Sequence, residues 1–177
     1  MKIAILGNGA LGPAEKAYVE CGQKHEYHNR YLTKCRNPWY KLEFRKPAPI
    51  LLNVFSRDGY KVVRNFTSAV TLTCFHGFYP NLFGMEYVDH LFVYLLSKTG
   101  RRILENSRRR YGDGLDKFEP NDLNTALVPA PAILADLPPR LIKAVLSHPT
   151  NHKLIGEADA LLNKALYRRK SAPLCVS

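Results

Sequence analysis

The chemically most informative residues of this chain are the cations and aromatic rings between positions 30 and 49. This stretch contains six lysine or arginine residues and four aromatic residues, with a single acid, Glu43. Basic side chains pair with phosphates, and flat rings stack on nucleobases or wedge against a groove. The combination is typical of a surface that binds nucleic acid. The alternative interpretation is a solvated loop whose aromatic residues pack inward.

Two rings and five cations of this stretch are the first candidate binding residues. Adjacent side chains of an extended segment point in opposite directions, so either Trp39 or Tyr40 can pack inward while the other meets a ligand. Burial of both rings is the competing interpretation. The cations are expected to contact phosphates rather than bases, because phosphate contacts are the commoner kind. The candidates are Arg30, Lys34, Arg36, Trp39, Tyr40, Lys41 and Arg45.

The composition favours a polyanion-binding protein with a buried core. The chain has 177 residues, a formal net charge of +11 and a hydrophobic fraction of 46%. This length suffices for one domain, and the positive charge predicts salt-dependent affinity for polyanions. No apolar run is long enough to span a membrane. The four cysteines lack CxxC spacing and no secretory leader is recognised, which predicts a cytoplasmic protein with reduced thiols and no metal site.

A glycine-rich motif near the amino terminus offers a different chemistry. A predicted strand at residues 2–6 leads into GNGALG at residues 7–12, which matches the dinucleotide-binding fingerprint. Pro13 suits the first turn of a helix over residues 13–21. The second strand and the ribose-binding acid of a nucleotide site do not follow, because residues 22–46 are polar and basic. A short strand and turn is therefore favoured over a nucleotide site.

The central part of the chain has the periodicity of strands. Residues 50–55 and 60–66 are short apolar runs separated by Ser-Arg-Asp-Gly, which predicts a hairpin. Residues 69–75 alternate between apolar and threonine side chains, which predicts a third strand and an antiparallel meander with one buried face. The residues expected on that face of the third strand are Val70, Leu72 and Cys74.

Helical periodicity follows the strands. An apolar stripe begins at Val88 and extends past Gly100. Residues 98–117 contain seven cations and three acids, and beside a Gly-Asp-Gly turn such a run can approach a backbone phosphate. Four prolines in residues 129–139 predict a linker or edge segment, and a last helix is expected over residues 153–167.

Several arginines in the strand and helix regions are further candidates. An arginine in the turn or on the return strand of a hairpin can reach a guanine edge. A catalytic role for His76 with Cys74 as nucleophile is not predicted, because no acidic orienting partner lies near them in the sequence. The arginine candidates are Arg57, Arg64, Arg108, Arg109 and Arg110.

Four blocks of the sequence, in order, resemble a known family. They are RYLTKCRNPWYKLE, PAPILLNVFSRDGYKVVRN, LTCFHGFYP and YGDGLDKFEPNDL, within residues 27–128. Together they resemble the carboxy-terminal target-recognition region of adenine-specific DNA methyltransferases, the restriction–modification enzymes that methylate the adenine amino group. The resemblance implies a surface that contacts double-stranded DNA, with Arg64, Asn65, Thr73 and His76 along it.

The resemblance also implies where the chemistry lies. In that family a separate amino-terminal domain binds S-adenosylmethionine and methylates a base that is swung out of the helix. Its catalytic motif is Asn-Pro-Pro-Tyr or a close variant, whereas the nearest string here, Asn37-Pro38-Trp39, lies in the recognition block. The resemblance therefore implies no catalytic, cofactor-binding or metal-binding residues in this chain. It implies a recognition fragment or subunit, inactive alone, that works with a catalytic methyltransferase chain carrying the S-adenosylmethionine site.

The sequence as a whole predicts an α+β fold. It is expected to be an antiparallel β meander with packed helices, similar to a target-recognition domain and without a complete Rossmann catalytic domain. The expected organisation is a short strand and turn segment in residues 1–26, a DNA target-recognition domain in 27–128, and a proline-rich linker with a carboxy-terminal helix in 129–177. The alternatives are a small nucleotide-binding enzyme that uses GNGALG and a general basic nucleic-acid-binding protein.

Overall fold

A computed structural model describes residues 10–41, 45–71 and 73–170 of the chain. Residues 1–45 and residues 46–177 form two compact units. The division falls at a different position from the boundaries expected after residues 26 and 128. The predicted strand at residues 2–6, together with the first glycines of the glycine-rich motif, lies outside the described residues.

The first unit consists of short helices in its described part. The predicted first helix is confirmed as α1, Pro13–Lys24, with the proline in its first turn. The Gly12 amide donates a hydrogen bond of 2.8 Å to the Glu15 carboxylate, which satisfies one of the free amides at the start of the helix. A 3-10 turn, Tyr27–Asn29, and helix α2, Tyr31–Lys34, follow.

The second unit begins with a small antiparallel sheet. Its strands are β1, Ile50–Asn53, β3, Val62–Arg64, and β4, Phe75–Phe78, in the order β3–β1–β4. The predicted hairpin is confirmed, since β1 and β3 pair antiparallel with Leu51 opposite Val63. Gly59 in the connecting turn has φ of +83°, a left-handed conformation that glycine adopts without steric cost.

The third strand of this sheet differs from the prediction in both position and partner. It lies at β4 rather than residues 69–75, and it pairs with the free edge of β1, so that β1 is central. Val70 and Cys74 are exposed, and Leu72 lies outside the described residues. The Asn65 side chain explains the shift, because its amide bonds the Ala69 carbonyl and its oxygen accepts from the following loop. The chain therefore turns before it extends.

A second antiparallel sheet continues from the first. Its strands are β2, Phe55–Ser56, β5, Arg108–Arg110, and β6, Asp116–Phe118, in the order β2–β6–β5. Val54 joins the two sheets, because its amide donates to the Cys74 carbonyl and its own carbonyl accepts from the Phe118 amide. The predicted α+β class with antiparallel sheets is confirmed, with a strand order that departs from a simple meander.

The helices of the second unit pack mainly against one another. They are α3, Leu82–Met85; α4, Val88–Leu96; α5, Lys98–Asn106; α6, Pro120–Asn124; α7, Pro131–Leu134; α8, Pro139–Ser147; and α9, His152–Lys170. One of them, α4, also packs on β3. The predicted apolar stripe and last helix are confirmed. The largest fully buried side chains come from strands and helices alike: Ile50, Leu52, Tyr94, Leu95, Phe118, Leu137 and Leu162.

The proline-containing segment is helical rather than an irregular linker. Pro131 and Pro139 each stand in the first turn of a helix, where the missing amide hydrogen has no intrahelical partner to lose. The apolar residues between and after these prolines, Leu134, Leu137 and Val145, are buried in the core. In the described part of the chain, no helix is both long and apolar enough to cross a membrane.

The junction of α4 and α5 is tightly built. Ser97 ends α4 and caps α5, with its hydroxyl accepting a hydrogen bond of 3.1 Å from the Gly100 amide. A Cβ atom on Gly100 would lie 2.1 Å from the Tyr94 carbonyl oxygen. Only glycine therefore allows α5 to turn this closely against α4. This contact fixes the direction in which the polar face of α5 points.

Candidate nucleic-acid interface

Trp39 is the anchor of the aromatic residues in the first unit. Its indole lies so close to Gly22 of α1 that a Cβ on that glycine would be 2.5 Å from the ring. The Tyr40 ring meets it edge-on with centroids 5.8 Å apart, and the His28 ring lies 6.2 Å away. Both Trp39 and Tyr40 are half-buried. Each ring therefore packs within the unit and retains some exposed surface.

The cations around this aromatic cluster have different environments. Arg30 stacks its guanidinium over the Tyr27 ring at 4.4 Å, a cation–π contact that orients the side chain without neutralising it. Lys34 and Lys41 are exposed, as is Arg45, while Arg36 is half-buried. The predicted candidates of this segment thus lie together in one unit. Of these, Arg30 lies over a partly exposed ring, and Lys34 and Lys41 extend into solvent.

Arg64 and Asn65 support the first sheet. The Arg64 guanidinium forms an ion pair of 2.6 Å with Asp89 and donates to the Pro49 carbonyl at 2.9 Å. The Asn65 amide donates to the Ala48 carbonyl at 3.0 Å. These partners engage the Nε and Nη1 atoms of Arg64 and the side-chain amide of Asn65. Both residues therefore hold the sheet edge and the following loop in place.

His76 joins the two sheets, whereas Arg57 and Thr73 face solvent. The Nε2 atom of His76 lies 2.7 Å from the Phe118 carbonyl oxygen, so the ring bridges β4 and β6. Arg57 is exposed in the turn that contains Gly59, and Thr73 is exposed before β4. Of these three candidates, Arg57 and Thr73 have exposed polar groups with no partner among the residues that the structure describes.

Asp116 forms ion pairs with two of the three arginines on β5. In the antiparallel register Arg110 stands opposite Asp116 and Arg108 opposite Phe118. The Asp116 carboxylate, 14% exposed, lies 3.1 Å from Arg108 and 3.9 Å from Arg110. Arg110 is 75% exposed, so it holds the weaker contact and extends furthest into solvent. The single Asp116 carboxylate therefore offsets part of the positive charge on this face of β5.

Arg109 lies on the opposite face of the strand and is held by Asp122. Its Nε and Nη2 atoms donate to the two carboxylate oxygens at 2.7 and 3.1 Å, a bidentate pair. These hydrogen bonds hold the pKa of Asp122 below its ordinary value and raise the pKa of Arg109. Lys117 similarly forms a 2.6 Å ion pair with Glu119, which lowers the pKa of that acid.

A row of three side chains crosses the outer face of the second sheet. Phe55 on β2, Lys117 on β6 and Arg109 on β5 are neighbours in the strand register. The Lys117 ammonium lies 5.6 Å from the centre of the half-exposed Phe55 ring. Neither Phe55 nor Lys117 is among the predicted binding residues. The alternation of β6 shows the pattern, because Phe118 is buried and its neighbour must point outward.

Another basic face that the candidate set omits lies on α5. Lys98, Arg101 and Arg102 are spaced i, i+3 and i+4, so they lie on one side of the helix. Gly100 and Leu104 are buried on the opposite side. The spacing of these cations is visible in the sequence. Among the described residues, no group of three or more histidine, cysteine or acidic side chains is arranged to hold a metal ion.

Comparison with known proteins decides the family. The chain matches the family described as "Type II methyltransferase M.Eco57I, C-terminal domain" over residues 6–165. The chain belongs to this family. The resemblance to the carboxy-terminal region of a restriction–modification methyltransferase is therefore confirmed. No solved structure matches the chain.

Two relatives are Type II methyltransferases of bacteria. M.AccI of Acinetobacter calcoaceticus is 44% identical over 114 residues, which cover 63% of this chain and 21% of that protein. M.XamI of Xanthomonas campestris pv. amaranthicola is 25% identical over 114 residues, 64% of this chain and 21% of that protein. The chain thus aligns with about a fifth of the length of the relatives it matches. These similarities do not favour the nucleotide-binding enzyme or the general basic protein.

Proposed function

We propose that this chain is the DNA target-recognition part of a site-specific adenine methyltransferase of a restriction–modification system. The observation that carries the proposal is the family, whose matching region is the C-terminal domain of a Type II methyltransferase. The net charge of +11 supports it, since a basic surface is the electrostatic signature of a protein that binds DNA phosphates.

Some of the predicted residues are proposed to contact DNA directly, and others hold those residues in place. Cations of each unit and the part-exposed rings of Trp39 and Tyr40 contact the duplex, and the two rings also serve as packing anchors. Arg64, Asn65 and His76 act through the fold, because their polar atoms are already engaged by protein groups. The proposed direct contacts are Arg30, Lys34, Arg36, Trp39, Tyr40, Lys41, Arg45, Arg57, Thr73, Arg108, Arg109 and Arg110.

Methyl transfer belongs to a catalytic domain or chain that binds S-adenosylmethionine. This chain supplies affinity and sequence selection, and the catalytic part supplies the cofactor and the pocket for the extruded base. The proposed setting is the cytoplasm, where such an enzyme meets chromosomal DNA. A direct check is incubation of the purified chain with labelled S-adenosylmethionine and DNA, for which no methyl transfer is expected. Labelled adenine produced by the chain alone would contradict this division of roles.

The affinity of the chain for DNA is expected to depend steeply on salt concentration. Binding of the chain to labelled duplex DNA, followed by fluorescence anisotropy, is expected to weaken about a hundredfold or more between about 50 and 200 mM salt, because about four or more phosphate contacts release counterions. Single-stranded RNA provides the comparison for the general basic-protein alternative. Affinity that is flat with salt would contradict phosphate contact. Equal or tighter binding to the RNA would contradict duplex recognition.

Nucleotides provide the control for the enzyme alternative. If GNGALG formed a cofactor site, NAD or S-adenosylmethionine would raise the melting temperature of the chain, because a ligand that binds only the folded state stabilises it. The proposal predicts no such rise for the isolated chain. Duplex DNA at low salt is expected to raise the melting temperature in the same assay.

A further inference from the structure

A groove runs beside the basic face of α5. It has a volume of about 790 Å³ and lies between α5 and the segment that leads into α9. Most of its polar lining side chains are exposed, so the groove is open to solvent rather than enclosed. The side chains that bear on its chemistry are Lys98, Arg101, Arg102, Glu105, His152 and Asp159.

Within the described part of the chain, the cations of this groove form no ion pairs. Lys98 and Arg102 are exposed, and neither forms a hydrogen bond or ion pair with any residue that the structure describes. Arg101 stacks over the Tyr60 ring at 5.0 Å and lies 3.4 Å from the Leu96 carbonyl. Both contacts orient its guanidinium while leaving the charge available.

The two acids of the groove are not equivalent. Asp159 accepts a hydrogen bond of 2.9 Å from the Thr99 amide in the first turn of α5 and another of 3.3 Å from Asn163. Its carboxylate is therefore a helix cap, and the positive end of the α5 dipole offsets its charge. Glu105, exposed on α5, is the acid that faces the groove without such a partner. Its negative charge opposes the binding of an anion in the groove.

We propose that this groove of α5 and the start of α9 holds phosphates of the DNA backbone, with Lys98 and Arg102 as the principal contacts. The assignment rests on the proposed DNA-recognition function and adds a contact surface outside the predicted set. Phosphate is the ligand that exposed ammonium and guanidinium groups without ion-pair partners favour. The His152 imidazole can donate a further hydrogen bond to a phosphate oxygen. An open groove suits a passing strand rather than an enclosed small molecule.

The test is the double variant Lys98→Gln/Arg102→Gln of the full chain. A matched control is Arg140→Gln/Lys143→Gln on α8, which removes the same charge from exposed residues outside the groove. Duplex affinity of the groove variant is expected to fall about tenfold or more at low salt. The slope of log affinity against log salt should become less negative by about 2, while the control slope changes little.

The results distinguish a failure of the groove assignment from a failure of the proposed function. If the unaltered chain binds no duplex, the proposed function is wrong. If it binds and the groove variant loses no more affinity than the control, the groove does not hold phosphates. Glu105→Gln gives a second reading, because removing the opposing charge should tighten binding severalfold. Melting temperatures close to that of the unaltered chain show that each variant is folded, and a Glu105→Gln variant that binds more weakly would contradict the assignment.

Discussion

The cations of β5 and those of α5 belong to the same stretch of sequence and have opposite electrostatic surroundings. Arg109 is held by both oxygens of Asp122, and Arg108 and Arg110 share Asp116. Lys98 and Arg102 on α5 have no such partner among the residues that the structure describes. The density of positive charge is higher on β5, whereas the uncompensated charge is greater on α5.

This difference matters more for a ligand than for stability. The exposed ion pair of Arg109 with Asp122 contributes little to stability, because solvent screens it. A phosphate that approaches Arg109 also meets the negative charge of Asp122, which offsets much of the attraction. A phosphate that approaches Lys98 or Arg102 meets Glu105 in the same groove, but neither cation forms an ion pair within the described part of the chain. The basic face of α5, here called the open face, should therefore carry the larger share of the salt-dependent binding of DNA.

The largest effect is expected from Gly100→Ala, which disturbs the placement of the open face. A Cβ 2.1 Å from the Tyr94 carbonyl forces α4 and α5 apart. The free energy of unfolding should fall by about 3 kcal/mol, the upper end of the usual cost of overpacking. Denaturant unfolding checks this value.

Gly156→Ala on α9 is the matched control for that substitution. Its Cβ would meet no atom within 4 Å, so alanine should stabilise the helix by about 0.5–1 kcal/mol through lower unfolded-state entropy. A Gly100→Ala variant as stable as the unaltered chain would show that the junction of α4 and α5 is loose. The open face would then owe its position to other contacts.

The next effect is expected from Asp116→Asn, which converts the compensated face into an open one. Arg108 is 20% exposed and would lose its carboxylate partner, so the free energy of unfolding should fall by about 2 kcal/mol. Duplex affinity should move the other way and rise about fivefold, because Arg108 and Arg110 are released for phosphates. Parallel unfolding and anisotropy measurements check the two directions.

Asp113→Asn provides the control for Asp116→Asn. Asp113 is exposed in the Gly-Asp-Gly turn with φ of +60°, a conformation that asparagine tolerates. The net charge changes equally, yet no arginine is released, so stability and affinity should change little. Equal gains in affinity from the two variants would show that total charge, rather than release of the β5 arginines, controls binding.

The sequence predicted the elements whose signals are local. The 3.6-residue periodicity of α4, α5 and α9 and the Asp-Gly turn at Gly59 each specify structure within a few residues. The proline segment was misleading because a proline marks either a break or the first turn of a helix. Burial of Leu134 and Leu137 against the core favours the second outcome. That burial depends on tertiary packing.

The sequence predicts only in part which candidate side chains are paired with acids and which are not. Arg64 and Arg109 are basic residues in basic surroundings, but their partners Asp89 and Asp122 lie far along the chain and meet them only through the fold. Charge counting cannot reveal such pairs. The spacing of Lys98, Arg101 and Arg102 is local, so an amphipathic reading of α5 would have found that face.

The smallest effect is expected from Asp122→Asn, which releases Arg109 without disturbing a buried group. Duplex affinity should rise about twofold, since one guanidinium gains freedom to meet a phosphate at a screened, exposed site. The melting temperature should change little.

Because Arg109 holds the pKa of Asp122 below its ordinary value, any stabilisation from the pair is fully present above about pH 4 and is lost as pH falls through the lowered pKa. Melting temperatures of both proteins across this range should converge at the acid end. A difference that persists or widens there would show that Asp122 acts through contacts other than the Arg109 pair.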